Sequence, residues 1–172
     1  MKIRLANNND LESIIKIEEI CFPPAEAATA QDIQERFSTF PENFIVAEDD
    51  GKIVGFINGC TTTAPILNDE LYHDCSLHQP SGEYQTVFGL DVLPEYRHQG
   101  IAGALLRYMI NLSYHRRKKG IVLTCKDHLI HYYEKFGFMH QGVSASQHGQ
   151  AVWNDMLLVF ENETIAFEHN EN

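Results

Sequence analysis

A chain of 172 residues with 44% hydrophobic composition is the size of one compact domain with a substantial core. Its formal net charge of -11 argues against a phosphate-backbone partner, because nucleic-acid binders display clustered basic surface. No apolar stretch approaches the roughly 20 residues that a membrane span requires, so neither nucleic acid nor a membrane is an expected partner. Cys21, Cys60, Cys75 and Cys125 lack close paired spacing, and Met1-Lys2-Ile3-Arg4 leads into no signal-like apolar segment. Reduced thiols and a cytoplasmic location are the expectation.

Ile3 to Ala6 reads as a short strand. Asp10 then caps a helix whose Leu11, Ile14, Ile15 and Cys21 share an apolar stripe, and Pro23-Pro24 ends it. A second helix fits Gln31 to Phe40. The β-rich runs Phe44 to Glu48 and Lys52 to Asn58 form a hairpin about Asp50-Gly51. Thr61 to Gly82 has weak periodicity and reads as a long loop placed to meet substrate.

A strand from Thr86 to Val92 passes through Pro94 and a polar turn into a helix from about Gly100 to Lys118. Arg116-Arg117-Lys118-Lys119 complements the negative end of that helix. Ile121 to Thr124 is a buried-type strand, Asp127 caps a helix through Phe136, Gly137 terminates it in the left-handed region, and Val152 to Phe160 supplies a last strand. This alternation predicts an α/β fold with a mixed central sheet.

The chemically suggestive segment is the strand-to-helix junction Leu90 to Gly103. The unpaired N–H groups and positive dipole of a helix start can receive a pyrophosphate, and Gly100, Ala102 and Gly103 leave the backbone approachable. An ordinary helix start with small residues for close packing is the competing reading. The segment has neither G-x-x-x-x-G-K-[ST] nor G-x-G-x-x-G. The pair His128 and His131, and the pair Cys75 and His78, do not complete a tetrahedral ligand set, so no metal is expected. Cys125, at the end of an apolar strand, reads as a buried thiol.

Arg97-His98-Gln99-Gly100-Ile101-Ala102 resembles the [RQ]-x-x-G-x-[GA] acetyl-CoA signature of the GNAT superfamily, and Tyr132-Tyr133-Glu134-Lys135-Phe136-Gly137-Phe138 resembles its Y-x-x-x-G-F element. Leu77-His78-Gln79-Pro80 and Cys125-Lys126-Asp127 are similar in character to the serotonin (arylalkylamine) N-acetyltransferases. The resemblance implies a single domain over residues 1–161 with a polar tail at 162–172, and a sheet splayed beside Leu90 to Val92 and flanked by helices. It further implies acetyl-CoA bound by Leu90, Asp91, Val92, Arg97, His98, Gln99, Gly100, Ile101, Ala102 and Gly103, with Tyr133 as the general acid. The activity implied is acetyl transfer from acetyl-CoA to a small-molecule primary amine by direct attack in a ternary complex. A catalytically inactive acyl-CoA-binding regulatory domain is the alternative. The paired histidines of the arylalkylamine enzymes fall on Thr86 and Phe88, neither of which can act as a base, which leaves Asp91, Glu83 and His78 as candidates. The acceptor amine, the acyl-chain preference and the oligomeric state stay open, homo-oligomers included.

Overall fold

The computed structural model describes residues 1–161; the tail expected over 162–172 lies outside the described residues. Strand β1 (Lys2–Leu5) precedes helix α1 (Leu11–Cys21), helix α2 (Ala30–Thr39) and the hairpin β2 (Ile45–Asp49) and β3 (Lys52–Asn58). Asp50 and Gly51 both take positive φ, +47° and +80°, so the turn twists with its flanking strands as the Asp-Gly pair predicts. After β4 (Thr61–Thr62), the long loop contains one short helix, α3 (Glu70–His73). The second half contains β5 (Tyr84–Val87), β6 (Gly89–Val92), α4 (Ile101–His115), β7 (Gly120–Cys125), α5 (Ile130–Glu134), β8 (Met139–Val143) and β9 (Asn154–Val159).

The strands form two sheet halves, ordered β1-β2-β3-β6 and β4-β5-β7-β9-β8. β5 runs parallel to β7, whereas β6 pairs antiparallel with β3. The run expected as one strand from Thr86 to Val92 is therefore divided at Phe88, where the chain leaves β4 and β7 and takes β3 as its partner. β6 ends as an edge strand, and a cleft opens between it and the far end of β7.

Side-chain alternation sends neighbouring strand residues to opposite layers. Ile45, Ala47 and Ile57 pack with Leu105, Leu106 and Met109 of α4, while Phe44, Val46 and Phe56 pack with Ile14 and Ile17 of α1 and Ile33 and Phe37 of α2. The domain is thus a sheet between two helical layers.

Two expected caps are corrected. Asp10 makes no side-chain cap to α1; it accepts from the Asn7 N–H at 2.8 Å and from Arg4 Nη1 and Nη2 at 2.7 and 2.9 Å. The helical entry begins earlier, at a 3-10 turn over Asn8–Asp10 capped by Asn7, and Asp10 closes that capping box while it pairs with Arg4 of β1. Asp127 likewise makes no cap, because its Oδ1 accepts from Asn154 Nδ2 at 2.7 Å. The helix expected from Asp127 through Phe136 is shorter: a 3-10 turn covers Asp127–Leu129, and α5 ends at Glu134. Gly137, at φ +93°, makes the left-handed exit. The basic cluster also fastens the end of α4 to neighbouring loops, with Arg116 donating to Asn43 Oδ1 and the Glu42 carbonyl and Lys118 donating to the Gly82 carbonyl.

Candidate active site

The cleft begins where β6 hands the chain to α4. Leu93 leads into a 3-10 turn at Pro94–Tyr96, and His98 (φ +61°) and Gly100 (φ +79°) then bend the backbone through left-handed conformations. Gly100 is the N-cap of α4, with no side chain to accept from the first-turn amides. A Cβ built on Gly100 would meet nothing within 4 Å, so the space before the helix is open. Arg97 donates Nε to the Val92 carbonyl at 2.9 Å, which fixes its guanidinium at the mouth of the cleft. Free amides, a positive helix end and a cation form a receptor for an anionic phosphate group.

Leu90, Val92, Arg97, His98, Gly100, Ile101, Ala102 and Gly103 border this cavity. Asp91 and Gln99 do not bring their side chains to it. Period-two alternation turns Asp91 to the α1 face, where it is 1% exposed, and Gln99 Nε2 folds back to the Glu95 carbonyl at 3.4 Å. Tyr96, Leu129 and Tyr132 join the lining without having been anticipated. Their aromatic and aliphatic character resembles core sequence, and only the splayed strands turn them toward a cleft.

A second cavity lies on the other side of β6, beneath α1 and α2. Its walls include the aromatic rings of Phe22, Tyr72, Phe88 and Trp153 and the charged Glu18 and Arg36. The Arg36 guanidinium lies 4.7 Å over the Phe88 ring and donates to the Tyr72 carbonyl at 2.9 Å. Burial lowers its pKa from the usual guanidinium range. His148 stacks on Tyr72 with centroids 5.1 Å apart, and burial pushes the Tyr72 phenol up to about 12. The contributions of Glu18, Arg36, His148 and Trp153 were not foreseen. Glu18 and Arg36 look like solvated helix charges in sequence, but α1 and α2 close over β6 and bury both, at 5% exposure each.

Leu90, Leu129 and Tyr133 border both cavities and mark where they meet. Tyr133 is held edge-on by Tyr132 and Phe138, with centroids 5.3 and 5.8 Å away. Burial, then the neighbouring Cys125, pushes its phenol above its ordinary range, so it is protonated at neutral pH. Cys125 also borders the second cavity, and burial raises its thiol to about 11, which suits an inert thiol better than a nucleophile.

Neither of the base candidates Glu83 and His78, nor Thr86, borders these two cavities. Glu83 pairs with Lys119 at 2.9 Å on the surface. His78 accepts from the Thr61 N–H at 3.1 Å and stacks against Phe40. Thr86 is fully buried and donates to the Cys60 carbonyl at 3.1 Å.

A splayed α/β sheet with an anion-receiving helix start at its opening, and a second cavity joined to it, defines an acyl-CoA-dependent transferase fold. The family model described as "Acetyltransferase (GNAT) family" matches residues 11–138, and the chain belongs to that family. A relative is the serotonin N-acetyltransferase of Mesocricetus auratus, 28% identical over 159 residues that cover 90% of this chain and 75% of that protein. Among solved structures, the fold is similar to the GphF GNAT-like decarboxylase in complex with isobutyryl-CoA. That match has a TM-score of 0.77 at 19% identity and covers 92% of this chain and 99% of that one. A GNAT family acetyltransferase from Brucella melitensis in complex with acetyl-CoA matches with a TM-score of 0.61 at 19% identity, covering 93% of this chain and 88% of that one.

Proposed function

We propose that this protein is an N-acetyltransferase that transfers acetyl from acetyl-CoA to a small primary amine by direct attack in a ternary complex. The observation that carries the reading is the junction at Leu90, Leu129 and Tyr133, where a cleft suited to an acyl-CoA meets a separate cavity suited to an acceptor. In this reading the pyrophosphate rests on the amides from His98 to Gly103 with Arg97 beside it, and the pantetheine follows the open edge of β6. The acetyl carbonyl then reaches a backbone amide near Leu90. An amide already aimed at the developing oxyanion stabilises it without reorganisation, and holding amine and thioester together supplies much of the rate.

Tyr133 protonates the departing sulfur. The same dry surroundings that raise its phenol also disfavour a free thiolate, so proton transfer stays matched as the C–S bond breaks. The acceptor cavity combines aromatic walls with the Glu18 carboxylate, which fits an amine carrying an aromatic ring. The named hamster relative acts on such an amine and supports the same class here.

The test is CoA release from acetyl-CoA in the presence of a panel of arylalkylamines, polyamines, aminoglycosides and peptide N-termini. Amine-dependent thiol release with a matching N-acetyl product, strongest for arylalkylamines, is expected. Acetyl-CoA binding with no amine-dependent release from any member would contradict transfer and favour a binding-only domain.

A further inference from the structure

Two carboxyl side chains meet on the α1 face of β6, Glu18 from α1 and Asp91 from the strand, 5% and 1% exposed. A Cβ placed on Gly89 would lie 3.3 Å from Asp91 Oδ1 and 3.5 Å from Glu18 Oε2, so both carboxyls border one spot free of side chains. Their environments differ. Glu18 Oε1 accepts from the Ala28 N–H at 2.9 Å, and Glu18 borders the acceptor cavity, as does the Arg36 cation. Neither Asp91 oxygen receives a hydrogen bond from a donor among the described residues, although both are fully buried.

Two acceptors facing each other in a dry site need a proton between them, because two adjacent buried carboxylates cannot both ionise. We propose that Asp91 holds this proton and donates it to Glu18, making Glu18 the ionised partner that receives the proton of the amine. The proposal rests on the acetyl-transfer reading above.

The charges around the pair favour this division. On the side away from Asp91, Glu18 Oε1 already holds the Ala28 N–H, and the Arg36 guanidinium of α2 borders the same cavity. Asp91 is shifted well above the carboxylate range by burial first and then by Glu18, with Cys21 of α1 adding to the shift and Arg97 opposing it. Asp91 is therefore a positioning residue: its O–H fixes the carboxylate that faces the cavity and leaves no second negative charge beside it.

The protons balance. The amine arrives as an ammonium, and Glu18 takes one N–H proton, freeing the lone pair. The C–N bond forms as the carbonyl π pair moves to oxygen. Collapse restores C=O and breaks C–S, the sulfur takes the Tyr133 proton, and the remaining excess N–H proton returns to the tyrosinate. The proton on Glu18 leaves to solvent after product release.

Two measurements test the pair. In protein labelled with carboxyl-¹³C aspartate, one aspartate resonance should keep the protonated shift at neutral pH, and D91N should remove it. This reading needs no turnover, so it can fail independently of the proposed activity. All aspartates ionised at neutral pH would overturn the proposal. In kinetics, E18Q should lower kcat/KM by at least about 10²-fold at neutral pH, with the loss shrinking at alkaline pH as the amine deprotonates in solution. D91A should lose activity, and D91N should recover most of it, because an amide N–H replaces the acid O–H. An active E18Q beside an inactive D91N would reverse the roles and overturn the assignment.

Discussion

Leu90 of β6 and Tyr133 of α5 border both cavities, so one residue of the split strand and one of the helix after β7 mark the point where the two cavities meet. The relationship exists because the chain leaves β7 at the end of β5 and continues past Phe88 as β6, and because Gly137 turns the chain directly from α5 toward Phe138 and β8.

Gly100→Glu should abolish measurable acetyl-CoA affinity. The substituted carboxylate would occupy the open space before α4 and repel a pyrophosphate there, and φ +79° strains any side chain at this position. Titration calorimetry on the folded variant is the check. Parent affinity would place the cofactor away from this turn.

Asn154 is 2% exposed and ties three elements at the wall of the cleft. Its Nδ2 donates to Asp127 Oδ1 at 2.7 Å and to the Cys125 carbonyl at 3.3 Å, and its Oδ1 meets His140 Nε2 at 2.9 Å. Asn154→Ala should cost roughly 1–3 kcal/mol by leaving buried polar groups unpaired. Urea unfolding monitored by circular dichroism measures it, and an unchanged midpoint would show that solvent replaces these bonds.

The fold was legible in sequence where local signals and burial agree. The Asp50-Gly51 hairpin, the helix opened by Gly100 and the exit at Gly137 each rest on backbone chemistry that a few residues specify. The break at Phe88 was hidden, because Thr86 to Val92 is continuously strand-like and the change of partner is a tertiary event. β8 was missed because Met139, His140 and Gln141 are exposed on an edge strand and lack an apolar alternation. Period two in the same run did hold the information that Leu90 and Val92 share a face and Asp91 points away from it. Glu18 had no such signal, since its neighbour Glu19 is exposed on the same helix and only packing on β6 separates them.

Asp10 makes folding stability depend on acid pH. Arg4, bonded to both its oxygens, holds its pKa below the ordinary carboxylate range. The stabilisation is therefore complete above the unfolded value of about 4 and is lost as pH falls through the depressed folded value. Asp10→Asn should lower stability by roughly 1.5–3 kcal/mol at pH 7, with the gap from the parent closing under acid conditions. Thermal melts across pH test this, and a gap independent of pH would mean the loss is steric.

The most direct test of transfer at the cavity junction is the single-turnover rate of Tyr133→Phe, which keeps the ring against Tyr132 and Phe138 and removes only the hydroxyl. With acetyl-CoA and a competent amine bound, the account predicts a rate lower by about 10²-fold or more with acetyl-CoA affinity unchanged. A folded variant that transfers acetyl at the parent single-turnover rate would contradict it.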